Sequence, residues 1–127
     1  MEKEEKGGIK LKNNFKIYNN SLVVRLNGEL DISTVPEFKE TIIDKMKNNN
    51  LKHLVLNFKK VNFIDSSGLG AILGRYRTLD KFGGKVVLVN LNPQVKKIFT
   101  LAGMLKIMDE YSDEKKALYD LKKRGNK

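Results

Sequence analysis

Ile64-Asp65-Ser66-Ser67-Gly68-Leu69-Gly70 is the stretch on which the reading of this chain turns. The apolar run ahead of it, Leu54-Val55-Leu56-Asn57-Phe58, is too short for a helix and rich in strand formers. Behind it Leu69, Ile72, Leu73, Tyr76 and Leu79 recur at spacings of three and four, the period of a helix with one buried face. The polar segment between is therefore a strand-to-helix junction, with Asp65 or Ser66 as the N-cap. Free N–H groups at such a helix start face any group carried on the serines. Two adjacent hydroxyls beside a carboxylate, at a positive helix end, suit a phosphate switch. They suit a plain helix cap as well, and the residues alone leave both readings open.

Upstream, Phe15-Lys16-Ile17-Tyr18 and Leu22-Val23-Val24-Arg25-Leu26 read as two strands of a hairpin. Asn19-Asn20-Ser21 supplies its turn, since Asn tolerates positive φ. Asn27-Gly28-Glu29-Leu30-Asp31 reads as a polar loop in which the Asp31 carboxylate stays solvated. Ser33 or Thr34 then caps a helix, with Pro36 in its first turn and Glu37 at the capping-box position for Thr34. Val35, Phe38, Ile42 and Met46 form its apolar stripe, and Asn48-Asn49-Asn50 stops it. A strand over 52–58 leads into the junction.

Downstream, the junction helix runs to about Lys81 and ends at Gly83-Gly84. Lys85-Val86-Val87-Leu88-Val89 is a buried-strand run. Asn92-Pro93 opens a third helix with Val95, Ile98, Phe99 and Ala102 inward, closed by Gly103. Lys106-Ile107-Met108 reads as a short strand, and Ser112-Asp113-Glu114 caps a last helix carrying Ala117, Leu118 and Leu121. The order β-β-α-β-α-β-α-β-α argues an α/β domain with a mixed sheet whose middle strands are parallel. Functional groups in such sheets gather beyond the carboxyl ends of the strands, which puts Asp31 and the Asp65 loop on one rim.

Composition narrows the function. The 127 residues suffice for one core and one domain. A hydrophobic fraction of 40% with 31% charged residues fits a globular chain, and no apolar run approaches a membrane span. The start, Met1-Glu2-Lys3-Glu4-Glu5-Lys6, is not a secretory signal, so the cytoplasm is expected. No cysteine, a single histidine and no clustered carboxylates argue against a metal centre. The net charge of +10 is half accounted for by residues 115–127, with six Lys/Arg against one Asp. Such a segment can touch nucleic acid or acidic lipid, but a solvated helix end explains it as well.

Gly68-Leu69-Gly70-Ala71-Ile72-Leu73-Gly74 is a loose dinucleotide-binding pattern. Its glycines fall inside the helical period, no acidic residue ends the next strand, and the chain is short for that fold. Small residues where a helix packs closely on a sheet account for it better. A serine hydrolase lacks the nucleophile elbow, and His53 starts the strand whose far end carries the serines. His53 is expected at the surface or an edge.

Asp65-Ser66-Ser67-Gly68-Leu69-Gly70 resembles the signature of the anti-sigma factor antagonists, the bacterial STAS domains. Asn27-Gly28-Glu29-Leu30-Asp31 resembles the G-E-L-D segment of that family, and His53-Leu54-Val55-Leu56-Asn57-Phe58 its central strand. Ile72-Leu73-Gly74-Arg75-Tyr76-Arg77 and Asn92-Pro93-Gln94-Val95-Lys96-Lys97-Ile98-Phe99 are similar to the sporulation-type members. The resemblance spans residues 14–121. It implies a STAS domain over 13–121; the ends depart from the pattern, and composition makes 1–12 a flexible tail and 122–127 a basic tail.

The fold implied is a mixed sheet of four or five strands with helices mainly on one side. The function implied is partner switching, without catalysis, cofactor or metal. In the family the serine after the Asp, here Ser66, is phosphorylated by the anti-sigma factor, a small ATP-using kinase. The unphosphorylated antagonist binds that kinase and frees a sigma factor, and a serine phosphatase resets it. Asp31, Asp65, Ser67, Gly68, Leu69 and Gly70 are implied as the partner surface. A monomer with no direct contact to nucleic acid or membrane is expected. A STAS scaffold that is never phosphorylated and a nucleotide-binding α/β protein are the alternatives.

Overall fold

The structure is a computed structural model that describes residues 14–125. The expected N-terminal tail over 1–12 lies outside the described residues. In chain order the elements are β1 (Phe15–Tyr18), β2 (Ser21–Leu30), α1 (Val35–Asn48), β3 (His53–Ile64), α2 (Ser66–Asp80), β4 (Val86–Val89), α3 (Pro93–Leu101), a 3-10 turn (Met104–Lys106), β5 (Glu110–Tyr111) and α4 (Glu114–Gly125). The basic stretch read from residue 122 begins inside α4.

The five strands lie in the sheet in chain order. β1 is antiparallel to β2, and β2 through β5 are parallel. Parallel crossovers are right-handed. When sheet order follows chain order, that handedness sends every crossover helix to the same face. α1, α2 and α3 accordingly share one core with Leu22, Val24, Leu54, Leu56, Val86 and Leu88, and they meet it through Phe38, Ile42, Ile72 and Phe99. The alternate residues Val23, Val55, Val87 and Val89 face the other way, onto Ala117 and Leu121 of α4. No strand follows α4 among the described residues, so the crossover rule leaves it free to cover the second face.

A polar clamp fastens α4 there. The Arg25 guanidinium on β2 donates to both carboxylate oxygens of Glu114, at 2.9 and 2.8 Å. The Asn57 amide on β3 donates to the same carboxylate at 2.7 Å, and Asn90 donates to the Asn57 carbonyl oxygen. The Arg25 hydrogen bonds, against an opposing desolvation cost, hold the Glu114 carboxyl below the usual glutamate range.

Four expectations are corrected. Residues 27–30 are not a loop but the end of β2, paired with β3 as far as Ile64. Irregular register at Arg25/Asn27 and Gly28/Glu29, with Gly28 at φ 107°, admits the glycine into the strand. Residues 106–108 are not a strand, because Met104 and Met108 both reach the core across a helical turn and the strand comes later, at Glu110–Tyr111. Ala102 is exposed at the end of α3. His53 is buried, at 2% exposure, and its Nδ1 accepts from the Lys85 amide at 3.0 Å.

Glu114 has a depressed pKa in the folded chain, so it stabilises the fold above the ordinary glutamate range. That contribution is lost as pH falls through the folded value. Glu114→Gln is expected to lower stability by about 2 kcal/mol at pH 7, the range for hydrogen bonds to a charged group. Urea unfolding at descending pH should show the gap to wild type closing in the acid range.

Candidate functional site

β2 and β3 end together, with Leu30 the register partner of Ile64, so the loops that follow start side by side. The Asp65 amide donates to the Leu30 carbonyl at 3.2 Å, continuing the pairing into the loop. Asp65 is the N-cap of α2, in extended conformation. Its Oδ1 accepts from the Gly68 amide at 3.0 Å, and its carbonyl accepts from Leu69. Its Oδ2 accepts from the amide of Ile32 at 3.2 Å. One carboxylate thus starts α2 and ties down the loop that leads to α1.

The Asp31 loop is held from within. Asp31 Oδ1 accepts from the Ser33 amide at 3.0 Å, the Ser33 hydroxyl at 2.7 Å and the Thr34 amide at 3.2 Å. The Ser33 hydroxyl, helped by these amides, holds the Asp31 carboxyl below its usual range. Thr34 does not cap α1 with its side chain. Its hydroxyl accepts from the Asp31 amide at 3.0 Å and donates to the Glu29 carbonyl at 2.9 Å. The reading of Asp31 as a merely solvated carboxylate is therefore incomplete, because it also builds the turn.

Ser66, the first residue of α2, is exposed, and Ser67 beside it is half-buried. Gly68 is buried. A Cβ there would lie 2.6 Å from the Leu30 carbonyl oxygen and 2.8 Å from Ile64 Cγ1. Its place is under α2, not on an open surface. Leu69 packs partly into the core, and Gly70 is exposed. The expectation that this run of glycines seats the helix on the sheet holds for Gly68 alone. A Cβ at Gly70 or Gly74 would meet nothing within 4 Å. Both lie inside α2 and not in the turn, which removes the geometry a pyrophosphate cradle needs.

Ile32 was not among the residues singled out from the sequence. Its signal is an isoleucine in a polar loop, outside both the strand alternation and the helix stripe. It is 74% exposed. His53 stands at the opposite end of β3 from Ser66, so the two form no catalytic pair. Among the described residues no group of three or more His, Cys, Asp or Glu could hold a metal ion. No described helix is long and apolar enough to cross a membrane.

The profile of the STAS domain matches residues 12–117. The anti-sigma F factor antagonist of Paenibacillus polymyxa is 39% identical over 100 residues, covering 79% of this chain and 86% of that one. The fold superposes on the anti-sigma factor antagonist SpoIIAA in its unphosphorylated form with a TM-score of 0.76, at 30% identity, over 91% of this chain and 96% of that one. The phosphorylated form of the Bacillus cell fate determinant SpoIIAA gives 0.69 at 29% identity, over 90% of this chain and 99% of that one.

The glycines separate by substitution. Gly68→Ala should destabilise by about 1–3 kcal/mol, because its new methyl group meets backbone that cannot give way. Gly70→Ala should stabilise by about 0.5–1 kcal/mol, the helix preference for alanine in open space. Urea denaturation of the two variants reads both signs.

Proposed function

This chain belongs to the STAS domain family, and we propose that within it the protein is an anti-sigma factor antagonist switched by phosphorylation of Ser66. The observation that carries this reading is the Asp65–Ser66 junction. An exposed serine opens α2 directly after a carboxylate that braces two neighbouring loops. In the unphosphorylated state, Asp31, Asp65, Ser67, Leu69 and Gly70 contribute to a surface that binds an anti-sigma factor serine kinase and releases a sigma factor. Gly68 supports that surface from beneath. The kinase transfers phosphate to Ser66, and a serine phosphatase removes it.

Phosphate adds about −1.5 to −2 charges at neutral pH. It arrives beside Asp65, at a helix start whose amides favour an anion. The fold therefore has no need to rearrange, while a partner packing there meets new bulk and repulsion. A loss of about 3 kcal/mol of binding corresponds to roughly two orders of magnitude in affinity.

Incubation with the anti-sigma factor kinase of the same genome and ATP, followed by mass mapping, tests the assignment. Phosphate is expected on Ser66, with Ser66→Ala unmodified and Ser67→Ala still modified. Stoichiometric phosphate on Ser67 would overturn it.

A further inference from the structure

We propose that Ile32 is the apolar anchor of this surface, a specificity-determining residue that enters an apolar pocket on the anti-sigma factor kinase. The proposal rests on the reading that the two loops form a partner surface. Ile32 is 74% exposed and belongs to neither hydrophobic core, so the fold makes no use of its side chain. Its backbone is nonetheless fixed. The amide of Ile32 itself is held by Asp65 Oδ2 at 3.2 Å, and its chain neighbours Asp31, Ser33 and Thr34 are tied to one another. An outward side chain on a braced backbone loses little freedom when it is bound.

The surroundings fit an anchor. Asp31 and Ser33 flank Ile32 in the chain, and Asp65 reaches it from the next loop, one residue before Ser66. An apolar centre within a polar rim is the arrangement that concentrates binding energy at interfaces. The partner pocket that matches it is apolar. Other strongly exposed apolar residues stand elsewhere, Phe82 beyond the end of α2, Leu101 at the end of α3 and Tyr119 on α4. Phe63 precedes the buried Ile64 on β3, so by strand alternation it faces the opposite side of the sheet.

The anchor also explains how one phosphate can be decisive. Burying Ile32 brings the partner down onto the ground beside Ser66, where the bulk and hydration of a phosphate hold the two surfaces apart. Removing the anchor should therefore weaken binding and also shrink the difference between phosphorylated and unphosphorylated protein.

Calorimetric titration against the anti-sigma factor kinase of the same genome tests this with wild type, Ile32→Ala, Ile32→Leu and Ser66→Asp. Ile32→Ala is expected to bind at least about tenfold more weakly, with an unchanged melting temperature. Ile32→Leu should stay within about threefold of wild type, since a volume-conserving exchange keeps the contact. Ser66→Asp should lose binding. Wild-type affinity in Ile32→Ala, with binding lost in Ser66→Asp, would overturn the anchor and leave the switch standing. A lowered melting temperature in Ile32→Ala would overturn it too, by placing the side chain in the fold. If wild type does not bind, or Ser66→Asp binds as wild type does, the partner-switch reading itself fails.

Discussion

The Asp65 carboxylate is the interaction on which the candidate site depends. Its two oxygens do different work, Oδ1 capping α2 at Gly68 and Oδ2 holding the amide of Ile32. Neither contact would form without the parallel pairing that brings the ends of β2 and β3 together at Leu30 and Ile64. Nor would they form if residue 68 carried a side chain, since the helix start would be pushed off the Leu30 carbonyl. Strand register, a glycine and a capping side chain together turn two loops into one surface. Ser66 stands on that surface because it follows the cap.

The described elements support this rim from both faces of the sheet. Three crossover helices on one face and α4 on the other bury the sheet from both sides. The ion pair of Arg25 with Glu114 and the Asn57 amide fasten α4 to the two strands that lead into these loops. Sites built on the ends of such elements hold their geometry better than sites on free loops. A modification there can then act through charge and bulk, without asking the backbone to move. Local charge also departs from the whole: the chain is at +10, while the two carboxylates of the rim, Asp31 and Asp65, are acidic.

What could be read from sequence was what local chemistry decides. The junction at Asp65, the caps at Asn92 and the stripe of α1 follow from periodicity and capping residues within a few positions of one another. The failures are non-local. Asn27-Gly28 has turn chemistry, and only the distant partner strand of residues 60–64 holds it in β2. Sequence places His53 at the surface or an edge because its buried partner, the amide of Lys85, is 32 positions away. The glycines of α2 look alike in sequence, yet Leu30 crowds one of them and nothing crowds the others. Ile32 carried its signal in plain view, as an apolar residue with no periodic place. Its meaning required knowing which carboxylate holds its amide.

A single carboxylate couples the two loops, and Asp65→Asn tests that coupling. Asparagine places an NH2 donor where one of the two carboxylate oxygens stood, so the backbone amide that faces that position loses its acceptor. Amide solvent-exchange rates by NMR, in wild type and in Asp65→Asn, report on each contact separately. Protection is expected at both amides in wild type and at only one of them in the variant. Unchanged protection at both amides in Asp65→Asn would contradict that coupling.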